Sequence, residues 1–477
     1  MGGHLARGSH AASSVTSELT LRFERGTLVI DGPWGDEVPG VLWDPRSSSR
    51  RSAAHRFGAL VTAASLRGAT ITGDLRSGWA PAPRSARDLG LRPYQSQALA
   101  AWAAFEQRGV IVLPTGAGKT RVAIAAILNV GVPAAVLCPT RALAAAWKVE
   151  LERWVGAPIG LIGDGHRLVE RVTVLTFESA YRHMDTLGDR FGLIVVDEVH
   201  HFGGGVRAEA LEASAAIARL GLTATAPPRT SEAAAAIEEL VGPVVFEMGF
   251  ADLVGTHLAD VTLTRIAVRL EPDEREAYER GVRRHDELAR AFRRAYPGGD
   301  YASLVRAVAG TSDGRRALRN NAQALELAAF PRAKRRLVGE LLSRHVGDKS
   351  IVFTAYAENA YQLALDNLVP VITGETGVRE RQYILDQFSK GTLRTIASAR
   401  VLNEGIDVPD ARVAIIVAGT QGKREHVQRI GRVLRPAPGK HALVYELVTA
   451  ETTDARRAHT RGMNAPRSST QFPSARG

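Results

Sequence analysis

The chain has 477 residues, a formal charge of +11 at pH 7 and an apolar share of 45%, enough length for about three domains and enough apolar content for buried cores. No stretch reaches the roughly 18 consecutive apolar residues that a membrane helix needs, so no membrane partner is expected. The single cysteine, Cys138, excludes internal disulfides and cysteine-based zinc clusters, suits a reducing cytosol and reads as a small buried residue.

Residues 1–16 lack the apolar centre of a signal peptide and read as a disordered tail. Residues 17–88 show period-two alternation in LTLRFERGTLVIDG, turn signals in PWGDEVPG and a helix-like run, RRSAAHRFGALVTAASLRG. They are expected to form a small α+β domain that ends in a Pro/Ser/Arg-rich linker, WAPAPRSARD. From residue 89 the texture changes to short apolar runs between Ala-rich helical patterns: GVIVLP, AAVLCP, VTVLTF, LIVVDE and ARLGLTAT. Strands this apolar along their length are usually buried on both faces, as in a parallel sheet flanked by helices. The texture defines one unit over 89–250 and returns over 346–450 in SIVFTA, PVITG, RTIASA, VAIIVAG and ALVYELV. Between them, 251–345 is expected to be a basic helical segment, with 18 Lys/Arg against 11 Asp/Glu in residues 265–345. Such a block suits a polyanion partner, and it equally suits helices solvated by arginine. The polar stretch 451–477 reads as a second disordered tail.

Two segments carry chemistry. In VLPTGAGKTRV a glycine-rich turn, Thr115, Gly116, Ala117 and Gly118, follows an expected strand and opens an expected helix, so its backbone N–H groups can converge on phosphate. Lys119 is expected to reach the outer phosphates and the Thr120 hydroxyl to bind magnesium. The spacing departs from the full P-loop pattern, which asks for glycine where Leu113 stands. In LIVVDEVHH an apolar run carries Asp197 and Glu198 to the carboxyl end of a strand, where open α/β sheets hold their ligands. Asp197 is expected to hold magnesium through water, and Glu198 to orient and deprotonate an attacking water. A solvated strand end would read the same way in isolation. His200 is expected to couple to this centre and His201 to pack, since neighbouring strand residues point to opposite faces.

With PTGAGKT and DEVH in hand, residues 89–450 resemble the superfamily-two helicases, whose own shortened P-loop accounts for Leu113. The resemblance implies an α/β chain with two RecA-like parallel-sheet domains in tandem, using ATP and Mg2+. LRPYQ resembles the adenine-reading motif, with Gln95 as base contact. CPTRALAAAW and LTFES resemble nucleic-acid contacts, implying Pro139, Thr140, Arg141 and Thr176; LTATAPP, with Thr223 and Thr225, resembles the motif that couples hydrolysis to motion. SIVFTAY and VLNEGIDVP resemble nucleic-acid and ribose contacts, implying Thr354, Gly405 and Asp407. HVQRIGRVLRP spaces Arg429, Arg432 and Arg435 three apart on one helix face, as a basic solvated helix also would. The resemblance makes Gln428, Arg432 and Arg435 catalytic, the two arginines as fingers that meet charge on the γ-phosphate.

The segment VLWDPRSSSRRSAAHRFGALVTAASLRG resembles the amino-terminal domain of XPB-type helicases, a damage- or distortion-sensing module, and the basic segment matches their helical thumb. That family implies DNA as substrate, single-stranded or forked, 3′-to-5′ translocation, a nuclease partner in repair, and a monomer in the cytoplasm at the nucleoid if the source is prokaryotic. One departure stands out: where XPB proteins carry Arg-Glu-Asp, this chain has Arg229-Thr230-Ser231. A restriction-type motor, an RNA helicase, and an ATP-gated DNA clamp that hydrolyses slowly and recruits a nuclease remain the alternatives.

Overall fold

The computed structural model describes residues 18–32, 38, 40–73, 75–79, 88–253, 260–399, 411–418 and 441–462. Contacts group the chain into two units, residues 1–111 with 120–246 and residues 112–119 with 247–477.

The first unit opens with β1 (Glu18–Glu24), β2 (Thr27–Asp31), β3 (Leu42–Asp44), β4 (Ser49–Ala53) and β5 (Thr70–Thr72), ordered β3-β4-β2-β1-β5. Pairing is antiparallel except for β1 with β5. Alternation along β1 sends Leu19 and Leu21 inward, onto Leu28 and Ile30 of β2 and onto Phe57 and Leu60 of the helix Phe57–Leu66. The same cluster takes in Ala215, and Val132 and Ile217 pack against it, so this small sheet shares its core with the rest of the unit. The linker expected from WAPAPRSARD does not begin at Trp79. That ring stands edge-on to Phe57, with centroids 5.8 Å apart, and its indole N–H donates to the Asp189 carbonyl at 2.7 Å. A large aromatic is worth burying even inside a proline-rich stretch.

At this junction His55 lies near Arg56, Arg108 and Arg219, with Glu239 3.8 Å from its Nε2. Burial, reinforced by the charges of Arg219 and Arg56, pushes its pKa down to about 4. Arg219 is itself fully buried, and its guanidinium donates to the carbonyls of Leu211, Ser214, Ala216 and Leu240. Burial pushes that group down to about 9.

The large sheet of the unit consists of β6 (Arg108–Val112), β7 (Ala134–Cys138), β8 (Ile159–Gly163), β9 (His166–Leu168), β10 (Val172–Thr176), β11 (Leu193–Asp197), β12 (Ala218–Thr223) and β13 (Val244–Glu247), ordered β13-β6-β12-β11-β7-β10-β8-β9. Every residue of β7, β10, β11 and β12 is buried, as parallel strands covered on both faces require. Cys138 is among them, its thiol against the Leu175 carbonyl at 3.6 Å and pushed up by burial. Three strands were not expected. β9 and β13 are short, and β8 reads IGLIG, where glycine weakens the apolar signal. Gly160 is needed there, since a Cβ would stand 2.5 Å from Thr173 Oγ1.

The second unit holds a six-stranded sheet in which every pairing is parallel: β14 (Asp260–Val268), β15 (Ser350–Thr354), β16 (Val371–Ile372), β17 (Thr395–Ala399), β18 (Val413–Ile416) and β19 (His441–Thr449), ordered β14-β19-β18-β15-β17-β16. The segment 251–345, expected to be helical, therefore supplies an edge strand. DVTLTRIAV carries β-branched residues throughout, and its Arg265 forms an ion pair with buried Glu446 at 2.7 Å. The helical insert proper is Pro272–Ala295, Tyr301–Ala309 and Ser312–Ala329. Gly281 lets its two long helices touch, because a Cβ there would meet Ala324 Cβ at 2.7 Å.

The expected disordered tail from 451 also needs correction, as Thr453–Gly462 is a helix. Its polarity conceals two anchors, Ala458 and Asp454, both buried. Asp454 Oδ2 accepts from the fully buried Lys334 Nζ at 2.7 Å, and Lys334 donates further to the Val417 and Ala329 carbonyls at 2.6 and 3.3 Å. The Thr453 N–H donates to the Tyr278 hydroxyl at 2.9 Å. Helical insert, sheet and final helix are thus tied at one point.

These buried groups make two measurable differences. As pH falls, the unfolded chain protonates His55 near its ordinary value of about 6.5, before the folded chain does. The stability that His55 contributes is therefore present above pH 6.5 and lost as pH falls toward about 4. His55→Gln should flatten the fall in melting temperature over that window, and parallel curves for the two proteins would contradict it. Lys334→Met strands a buried carboxylate and should cost about 3–5 kcal/mol in urea unfolding, most of it recovered in Lys334→Met/Asp454→Leu; a loss below about 1 kcal/mol would show the pair to be immaterial.

Candidate active site

The phosphate loop begins where β6 ends. Leu113, at the position that a full P-loop gives to glycine, is completely buried, so the turn is confined to Pro114–Gly118. Gly116 and Gly118 take left-handed φ values of 87° and 77°, which a side chain would oppose. The Ala117 N–H donates to the Pro114 carbonyl at 3.2 Å. Lys119 opens the helix Lys119–Val130, and its Nζ donates to the Leu113 and Pro114 carbonyls at 3.1 and 3.4 Å. The Thr115 hydroxyl is buried and has no hydrogen-bond partner among the described residues. A hydroxyl so placed, in a turn that opens a helix, fits an anionic oxygen.

Asp197 closes β11 with only 8% of its surface exposed. Its Oδ2 accepts the Trp147 indole N–H at 2.9 Å and its Oδ1 the Glu198 N–H at 3.0 Å. The chain then turns sharply. Glu198 has φ 52° and ψ 49°, and residues Val199–Phe202 form a 3-10 turn. A non-glycine residue in this region costs of order 1–2 kcal/mol, a strain that sets the Glu198 side chain apart from that of Asp197. A hydroxyl such as that of Thr120 and a carboxylate such as that of Asp197 are hard oxygen donors of the kind Mg2+ takes, and a few protein ligands plus phosphate oxygens suffice for it.

His200 joins this corner to the next strand. Its Nδ1 lies 3.4 Å from Glu198 Oε2 and 3.1 Å from Thr223 Oγ1. Thr223 ends β12, which neighbours β11 in the sheet, and its hydroxyl donates to the Thr225 carbonyl at 3.0 Å. The expected reason for separating the two histidines does not hold: the strand has already ended, and the rings lie 4.3 Å apart on the 3-10 turn. His201 packs toward Phe177, with centroids 5.8 Å apart.

Other expected residues fall in different settings. Gln95 is buried and its side-chain oxygen accepts the Arg92 N–H at 2.9 Å, capping the helix Pro93–Ala104. Thr140, which follows Pro139, caps the helix Arg141–Val155, and Thr176 caps Phe177–Leu187. Arg141 and Thr176 line one groove of about 470 Å³ together with Asp164, Arg167, Arg182 and His183. Its β8–β9 wall went unread because those strands did. Thr354, expected to contact nucleic acid, is fully buried and donates to the Tyr356 carbonyl at 2.9 Å, so it shapes a turn. Ser231, in the triplet that departs from Arg-Glu-Asp, caps the helix Glu232–Leu240. Gly405, Asp407, Gln428, Arg432 and Arg435 lie outside the described residues. Trp147 was not singled out; a tryptophan in an Ala-rich run, nine residues after a strand end, was the available signal.

Among known protein families, residues 88–228 match the one described as type III restriction enzyme, res subunit; 333–437 match the helicase conserved C-terminal domain; 21–72 match the Xeroderma pigmentosum group B helicase damage recognition domain. A DNA 3'-5' translocase XPB2 of Sulfurisphaera tokodaii is 36% identical over 80% of this chain and 86% of its own length. A DNA 3'-5' helicase XPB of Kineococcus radiotolerans is 31% identical over 76% of this chain, which spans 60% of that protein. Among solved structures, Saccharomyces cerevisiae Dbp5 bound to RNA and ADP–beryllium fluoride aligns with a TM-score of 0.53 at 16% identity, over 80% of this chain and 93% of that one, a likeness of fold.

The corner from His200 to Thr223 is testable. Thr223→Val keeps the shape and removes the hydroxyl, and with it the bonds to His200 and to the Thr225 backbone, each worth about 1 kcal/mol. Turnover of nucleotide should fall about fivefold with nucleotide affinity within about twofold; unchanged turnover would leave the bond without a role.

Proposed function

The chain belongs to the XPB-type superfamily-two DNA helicases, and on that premise we propose that it is an ATP-driven motor moving 3′ to 5′ along one DNA strand in repair. The observation that carries this reading is the single corner at which Glu198, His200 and Thr223 meet. A carboxylate that can take a proton from water is thereby linked, through one imidazole, to the strand end that carries the coupling motif.

In the proposed reaction Glu198 orients a water and accepts its proton as the water oxygen bonds to the γ-phosphorus, while the bond to the β–γ bridging oxygen breaks and ADP leaves. Lys119 and the turn Thr115–Gly118 hold the phosphates, and Gln95 the adenine. Thr120 and Asp197 would hold Mg2+, which would supply charge neutralisation on the phosphate oxygens. Gly405 and Asp407 are assigned to the ribose, Gln428, Arg432 and Arg435 to the γ-phosphate. Arg141 and Thr176, in their shared groove, are assigned with Pro139 and Thr140 to the DNA backbone, whose binding then weakens with salt. The reading extends to a nuclease partner and a monomeric motor. No helix among the described residues is long and apolar enough to cross a membrane.

One observation favours a second reading. Ser231 serves as a helix cap where an acidic pair stands in XPB proteins, which suits a clamp that holds opened DNA and hydrolyses slowly.

The test is ATP turnover alone and with single-stranded DNA, forked duplex or RNA. Stimulation by single-stranded or forked DNA, abolished in Lys119→Ala and in Arg435→Ala, is the expected result. Stimulation by RNA alone, or full turnover in either variant, would sink the assignment; binding of forks without strand displacement would favour the clamp.

A further inference from the structure

The helical insert of the second unit ends in a tip whose surface differs from the rest of it. The helix Pro272–Ala295 has 24 residues and is therefore about 36 Å long. It stops at Tyr296-Pro297-Gly298-Gly299, where Gly298 takes a φ of 93°, and the chain returns through Tyr301–Ala309. Every residue from Arg293 to Ala302 is exposed. Tyr296 and Tyr301 are 62% and 60% exposed, and among the described residues of 262–345 no other large apolar side chain is so open.

The two tyrosines are held in place. The Phe292 and Tyr296 rings lie 5.1 Å apart at 35°, and Tyr301 stands 6.3 Å from His285. Pro297 and the start of the second helix stiffen the turn between them. The Asp300 carboxylate caps that helix by accepting the Ser303 N–H at 2.8 Å, and the Ser303 hydrogen bonds hold its pKa below the usual range. Arg290, Arg293, Arg294 and Arg306 lie in the same stretch, and Asp300 is the one acid in residues 290–306. Two of these guanidiniums, of Arg290 and Arg293, bond along their own helix to the Asp286 and Ala289 carbonyls.

Exposed aromatic rings in a stretch with four arginines and one acid fit an unpaired base, which offers a π-face to the ring and a phosphate on either side to the cations. A fully stacked duplex offers the phosphates without the faces. We propose that the tip of the helical insert is a base-stacking site, in which Tyr296 and Tyr301 take unpaired bases of a DNA strand while Arg293 and Arg294 hold its phosphates. This rests on the reading of the chain as a DNA motor, and it gives the insert a preference for unpaired strand that charge alone does not supply.

The test uses the full chain and fluorescently labelled oligonucleotides without nucleotide: a single strand, a fork and a blunt duplex of equal length. Tyr296→Ala/Tyr301→Ala should weaken the single strand and fork about tenfold and the blunt duplex less than twofold. Tyr296→Phe/Tyr301→Phe should restore wild-type affinity, because stacking needs the ring and not the hydroxyl. Arg293→Gln/Arg294→Gln should weaken all three DNAs and lower the salt slope by roughly 1–2. Equal loss on all three DNAs in the double alanine variant, or no loss on any, would overturn the stacking site while DNA-stimulated turnover of the unaltered chain leaves the motor standing. Failure of the unaltered chain to bind or respond to any DNA would overturn both.

Discussion

Everything chemical in the first unit hangs on how Asp197 is buried. A carboxylate taken out of water at the end of an apolar strand is costly unless donors meet it. Here the Trp147 indole and the Glu198 N–H do so, and the second of these draws the chain into the left-handed turn that starts the 3-10 segment. That turn brings His200 within reach of both Glu198 and the end of β12. Without a fully buried β11 the carboxylate would be solvated, the turn unforced, and the two catalytic motifs unlinked. The apolar residues of LIVVD thus determine the chemistry as much as the acids do.

This is also why so much could be read from the sequence. Parallel strands buried on both faces announce themselves as apolar runs, and β6, β7, β10, β11 and β12 fell where those runs lie. So did the strands β15 to β19. The phosphate loop was legible because its glycines answer a backbone demand visible in one dimension; Leu113 was accounted for only by the family resemblance, and its burial emerges from the fold. What escaped depended on partners far away in sequence. β8 hides behind glycines that its neighbour requires, β14 behind the charge of the segment it introduces, and the final helix behind its own polarity. Thr354 was assigned a contact by motif alone, and its burial follows from the strand it ends. The arginine segment 426–436 was read from spacing and family, and lies outside the described residues.

The amino-terminal sheet is not an appendage on a tether. Its helix packs onto Ala215 and Ile217, the residues that lead directly into β12, and β12 runs from that junction to Thr223. A Cβ at Gly26 would meet Ala213 Cβ at 2.8 Å, so backbone and side chain already touch there. The same junction carries Arg219, a cation satisfied only by carbonyl oxygens in the hydrogen bonds described, which ties the ends of several elements and disfavours a proton on His55.

The pairing of β14 with β19 has a consequence for how the chain is made. Nine residues of β14 lie in register with nine of β19, Asp260 opposite His441 through Val268 opposite Thr449. During synthesis the earlier strand is released with its partner still unwritten. Helices of the insert need only local contacts and can form at once, and the first unit can fold behind them. β14 meanwhile carries unsatisfied backbone groups and β-branched side chains, a template for any other strand. The Arg265 charge on it blunts that hazard until Glu446 arrives to neutralise it. Nascent chains of this protein should therefore be most vulnerable to misassociation between the completion of the insert and the arrival of β19, an interval that slower translation would lengthen.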